Sequence, residues 1–179
     1  MRLLLIIFCC FLTACQMLKK TFVVPESIPF QGKSYFKVTD NMLEGMRHLL
    51  FLPAEGNQHP DNWHNAIFIF LDQNKTSTMM QRMALRKKVF SNQQDTIAQI
   101  KIIENELYSA IIYPPTEHFN DILLEVSRGR DSACGFAQIQ VANKRAILTE
   151  KNANLTAYQA ELNSLAQQLS TLAWQVACQ

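Results

Sequence analysis

Two histidines and a carboxylate fall within the hexapeptide His59-Pro60-Asp61-Asn62-Trp63-His64, the only place where imidazoles lie close together along the chain. Imidazole and carboxylate donors suit zinc or copper, which makes His59, Asp61 and His64 the candidate ligands for a metal. Their spacing matches no standard metal motif, and Pro60 restricts how the loop can fold back. The plainer reading leaves the histidines in solvent and uses Trp63 to anchor the loop on the core. A cysteine nucleophile would need Cys134 as a free thiol beside His48, His64 or His118. Glu104 and Glu106 fall in an expected turn, with no apolar pocket to raise one carboxyl for acid catalysis. Nucleophile elbow, phosphate loop, His-Glu-x-x-His and paired-cysteine knuckle are all missing from the sequence. The expectation is therefore a protein without catalytic residues, metal or other cofactor.

The cysteine at position 15 carries a sharper signal. Arg2 precedes an almost unbroken apolar run from Leu3 to Leu12, which is too short to span a ~30 Å hydrocarbon core and reads as the apolar region of a signal peptide. The run ends in Leu12-Thr13-Ala14-Cys15, which resembles the lipobox of bacterial lipoproteins. That resemblance implies cleavage of a leader comprising residues 1–14, acylation of the Cys15 thiol, and a membrane attachment made by lipid. Gln16 follows the cysteine, where inner-membrane lipoproteins usually carry Asp, so the expected destination is the periplasmic face of the outer membrane. With the leader gone and Cys15 acylated, Cys134 and Cys178 remain in an oxidising compartment. A Cys134–Cys178 disulfide is then expected, two free buried thiols being the alternative.

Composition sets outer bounds on the rest. The chain has 179 residues, 48% hydrophobic and 18% charged, enough apolar content for one packed core. Its formal net charge is only +2, which argues against a nucleic-acid partner. Pro25 and Pro29 favour extended backbone, so residues 15–33 read as lipidated cysteine plus tether, with Phe22 to Val24 an alternative first edge strand. A single α+β domain is expected over 34–179.

Within it, Tyr35 to Val38 and His48 to Leu52 read as short strands around a Gly45 turn. Ala66 to Leu71 is continuously apolar and reads as a strand buried on both faces. Thr76 to Phe90 has helical spacing, with Met79, Met80, Met83, Ala84 and Phe90 on the apolar face and Arg82, Arg86, Lys87 and Lys88 in solvent. Ile97 to Ile103 and Leu107 to Tyr113 form a hairpin. Ile122 to Val126, a turn at Gly129 to Ser132, and Phe136 to Ala142 complete an antiparallel meander. Leu155, Tyr158, Leu162, Leu165, Leu169, Leu172 and Val176 alternate spacings of three and four, predicting a terminal helix laid across the sheet.

The segment containing Leu52-Pro53, Glu55-Gly56 and Asn62-Trp63, ahead of a strongly apolar strand, resembles a group of Gram-negative envelope proteins. The order of elements also resembles the antiparallel α/β/α sandwich of PsbP-like proteins. These resemblances imply an antiparallel sheet of about six strands flanked by two main helices, and no catalytic motif. The expected function is binding of another envelope component; the alternative is a module holding a small apolar ligand or lipid between sheet and helix, as an unfilled pocket of several hundred Å³ under either helix would indicate.

Overall fold

Three tight turns set the register of the sheet. Gln31-Gly32, Glu44-Gly45 and Glu104-Asn105 each place both residues at positive φ, between 49° and 81°, the geometry whose twist matches that of a two-residue hairpin. The computed structural model describes residues 20–93, 95–146 and 154–179. The leader, Cys15 and Lys19 lie outside these residues.

The strands are β1 (Phe22–Val23), β2 (Ser27–Phe30), β3 (Lys33–Leu43), β4 (Met46–Pro53), β5 (Asn65–Asp72), β6 (Ile97–Ile103), β7 (Glu106–Tyr113), β8 (Asp121–Ser132), β9 (Gly135–Ala146) and β10 (Ala177–Cys178). The helices are α1 (Met79–Ser91) and α2 (Gln159–Thr171), the latter preceded by a 3₁₀ turn at Leu155–Tyr158. Strands β2 to β9 form one antiparallel sheet in the order β2-β3-β4-β5-β9-β8-β7-β6, and β1 pairs with β10. The class is α+β and the sheet antiparallel, as expected, with eight strands rather than about six. None of the described helices is long and apolar enough to cross a membrane.

One sheet face builds the main core. Ile67, Ile69 and Leu71 of β5, Ala137, Ile139 and Val141 of β9, and Leu124 and Val126 of β8 are buried there against Leu162, Leu165 and Leu169 of α2. The three-four spacing of those leucines brings one stripe of the helix onto the pleated surface. The stripe stops earlier than its sequence pattern predicts. Leu172 turns to extended backbone at φ −64°, ψ 127°, and Val176 reaches the same core from an irregular segment. The spacing persists past the helix because a chain crossing a core must keep supplying apolar side chains, whatever its backbone does.

The supposed tether is also corrected. Phe22, Ile28 and Phe30 are buried in the main core, and β2 pairs with β3 from Ser27↔Phe36 to Phe30↔Lys33. Pro29 fits because β2 is an edge strand, where a missing N–H costs no ladder bond. At the other end of the chain, β10 pairs Cys178 with Phe22 and Ala177 with Val23. Cys134, in the β8–β9 turn, stands at disulfide distance from Cys178, with Cα atoms 5.7 Å apart, matching the expected pair. Arg128 donates to the Leu172 carbonyl at 3.2 Å and to Glu106 at 2.5 Å, while the Arg130 guanidinium stacks 4.6 Å from the Trp174 ring centroid. The C-terminal segment is thus held by the Cys134–Cys178 pair, a two-stranded ladder and a half-buried ion cluster.

The turn read at Gly129 to Ser132 is strand. β8 runs to Ser132, and Gly129 lies opposite Gln138. Its lack of a side chain serves packing: a Cβ there would meet Phe136 Cζ at 2.3 Å.

Candidate functional site

The opposite sheet face is only half covered, and α1 is the cover. Thr78 caps the helix, its hydroxyl accepting from Gln81 N at 3.2 Å while the Gln81 side chain accepts from Thr78 N at 2.8 Å. The face that α1 turns inward carries Met79, Arg82, Met83, Arg86 and Phe90, whereas Met80, at 62% exposure, and Leu85, at 65%, point outward. This reverses part of the expectation, since Ala84 is exposed and two of the four basic residues lie against the sheet. Arginine can do this because its aliphatic stem covers apolar surface while the guanidinium finds partners.

Those partners are laid out by register. Antiparallel pairing sets Met46, Asp72 and Phe136 side by side across β4, β5 and β9, and His48, Phe70 and Gln138 in the adjacent row. The Arg82 guanidinium bonds Asp72 Oδ2 at 2.8 Å and the Asn74 carbonyl at 2.8 Å, and lies 4.3 Å above the Phe136 ring centroid. Arg86 donates to the Gln138 side-chain oxygen and lies 6.0 Å from the same ring. Burial is the main influence on Arg86 and pulls it down to about 10, with Glu125 opposing. Glu125, opposite Ala142 on the same sheet face, is pushed up to about 7 by burial, against the Tyr113 hydrogen bond and the Arg86 charge.

Between α1 and the β3–β4 hairpin this arrangement leaves a cleft of about 400 Å³. Phe70, Phe136 and the two glutamines Gln138 and Gln140 line it with His48, and Leu43 and Leu85 stand at its mouth. Beyond the cleft the aromatic surface continues: His48 meets Phe70 edge-on at 4.7 Å, Phe70 stacks on Phe68 at 6.1 Å, and Trp63 meets Phe68 at 5.5 Å. A second opening of about 470 Å³ lies under α2, lined by Lys101, Tyr108, Ser109, Asn163 and Gln167 among others. The first has the stronger chemical contrast, with two guanidinium groups against an aromatic floor.

The residues singled out from sequence fare differently. His59 Nδ1 and Asp61 Oδ2 are 3.8 Å apart in an exposed loop, and His64 is placed by its carbonyl, which accepts from Lys144 N at 2.7 Å. Among the described residues no three His, Cys, Asp or Glu side chains gather as metal ligands. Trp63 packs on Leu50, Leu52 and Ala66, with Lys144 4.2 Å from its ring centroid. Cys134 faces Cys178 rather than a histidine. Glu106 is drawn into the Arg128–Arg130–Tyr108 cluster, not toward Glu104.

The alternative reading allowed for a pocket of several hundred Å³ under a helix, but not for its lining of arginine, glutamine and aromatic side chains. β5 buries Ile67, Ile69 and Leu71 on one face, whereas on the other Ala66 is buried and Phe68 and Phe70 are half-buried. The signal was available in the helix: Arg82 and Arg86 share the i, i+3, i+4, i+7 positions with Met79 and Met83.

The chain finds no match among curated proteins. Among solved structures it resembles the Ran-binding protein Mog1p of Saccharomyces cerevisiae, whose 1.9 Å crystal structure superposes with a TM-score of 0.50. The likeness covers 88% of this chain and 94% of that one at 8% identity, and shows a shared fold alone. A protein-family model matches residues 22–174, which takes in the sheet, both helices and the cleft, and the chain belongs to that family.

Proposed function

We propose that this protein is an envelope lipoprotein of the outer membrane, held on its periplasmic face by acyl chains on Cys15, and that its domain binds rather than transforms another envelope component. The lipobox residues Leu12 to Cys15 support the anchor, and a cysteine pair at disulfide distance suits an oxidising compartment. Within the α+β class the PsbP-like sandwich is the finer reading, supported by the order of its elements.

The cleft under α1 carries the binding reading. Its volume of about 400 Å³ falls in the roughly 300–1,000 Å³ range of small-ligand sites, which favours a small molecule over a protein surface as the component bound. Exposed apolar residues at its mouth, Leu43 at 57% and Leu85 at 65%, support the second reading, in which a protein partner docks across the opening. A photo-crosslinking residue placed at Leu85 in living cells tests both. Adducts of low mass are expected there and not at Thr171, on the far side of the molecule. Protein-sized adducts would favour docking, and equal labelling at the two positions would remove the cleft as the site.

A further inference from the structure

The chemistry of a ligand can be read from an imbalance within the cleft, granted that the cleft is the binding site. Arg82 is neutralised, with Asp72 2.8 Å from Nη1 and Asp131 3.8 Å from Nε. Arg86 is not. It forms no ion pair among the described residues, and its hydrogen bond goes to the neutral side chain of Gln138. Glu125 faces it from β8, but burial keeps that carboxyl only part ionised near neutral pH. Glu44 lines the rim as a further carboxylate, and its φ of 51° fixes it in the tight β3–β4 turn.

Two guanidinium nitrogens, Arg86 Nη1 and Arg82 Nε, are buried without a hydrogen-bond partner. In folded proteins, buried donors of this kind mark the place of an ion, a water or a ligand group. A planar guanidinium fork matches the paired oxygens of a carboxylate or a phosphate. Around it the surfaces are apolar: Phe70 and Phe136 at the floor, Met46 beside them, Leu43 and Leu85 above.

We infer that the cleft takes a small single-chain amphiphile with an anionic head, carboxylate or phosphate, the head against Arg86 and Gln138 and the apolar body over Phe70 and Phe136. Arg86 is the specificity-determining residue in this arrangement, and the two leucines at the mouth cover the chain. A neutral or cationic head would leave the Arg86 charge desolvated and unmatched, so discrimination follows from the cost of that unpaired group.

Titration calorimetry on residues 15–179 carrying Cys15→Ser provides the test, with octanoate, octyl phosphate, octanol and octyltrimethylammonium as probes. Octanoate or octyl phosphate is expected to bind at least about tenfold more tightly than octanol or the cation, the better anion identifying the head. Arg86→Gln is expected to bring the anions down to the affinity of octanol. Since Arg86 is packed under α1, Leu85→Glu at the exposed rim gives an independent check: it is expected to weaken both anions more than the cation. Equal affinity for octanol and the anions would overturn the anionic-head assignment while leaving the cleft as a binding site. No binding of any probe would overturn the cleft itself.

Discussion

The Arg82 guanidinium lies 4.3 Å from the centroid of the Phe136 ring, on an aromatic side chain that reaches its position only because residue 129, on the neighbouring strand, is glycine. One small residue in β8 thereby sets the floor of the cleft that α1 covers. The same ring packs with Met79 and Leu107, so the helix, the sheet and the candidate site share a single contact.

Gly129→Ala tests that dependence. Its Cβ would meet the ring at 2.3 Å, and overpacking of this kind costs about 1–3 kcal/mol. Urea unfolding should show a lower midpoint, and Phe136→Leu in the same chain should recover most of the loss. An unchanged midpoint in the single variant would mean that the ring moves freely.

Leu165 is 2% exposed between α2 and the sheet. Leu165→Lys buries an unpaired charge, a change in the exceptional class above ~4 kcal/mol. The variant is expected to be unfolded, or to melt far below the parent, by circular dichroism. Native stability would show that the leucine stripe does not hold the core.

Two glutamates give opposite pH dependences. Burial pushes the Glu106 carboxyl up, but hydrogen bonds from Arg128, Tyr108 and Arg130 outweigh it and hold the group at about 2. An unfolded-state value near 4.5 means the cluster stabilises fully above that pH and loses its contribution as pH falls toward 2. The full shift corresponds to at most roughly 3 kcal/mol, less where solvent screens the cluster. Glu125 is the reverse case, raised from 4.5 to about 7 by burial. The folded state binds the extra proton between those values, so stability falls as pH rises from about 4.5 to 7. Glu125→Gln is expected to flatten that decline and Glu106→Gln to flatten the acid limb, both read from denaturation midpoints across pH. A parent whose midpoint is flat from pH 5 to 7 would contradict the Glu125 assignment.

The Cys134–Cys178 pair closes a separation of 44 residues, for which loop entropy suggests about 4 kcal/mol. Thiol titration of the denatured, unreduced mature protein should find neither sulfur reactive, and Cys134→Ser should lower the melting temperature. Two reactive thiols would refute the bridge.

Metabolic labelling with palmitate examines the anchor separately. Label is expected in the parent and lost in Cys15→Ser; label that persists would remove the lipoprotein reading while leaving the cleft untouched.

Local pattern was sufficient for the α+β class, the β6–β9 meander, the existence of α1, and the leucine stripe of α2, because each is written in the period of adjacent side chains. The cysteine pairing was also legible, since chemistry left few partners. Tertiary structure alone decided that Ser27–Phe30 joins the sheet as β2, that the terminal helix stops at Thr171, and that the β5 face bearing Phe68 and Phe70 stays partly open. It also decided that Arg82 and Arg86 turn inward. The physical reason is common to all four: periodicity records that a side chain has an apolar or charged character, whereas the element lying opposite determines what that side chain meets, and that element comes from a distant part of the chain. Asp72, Phe136 and Gln138 became partners of the α1 arginines through strand register, a long-range property that no single stretch of sequence contains.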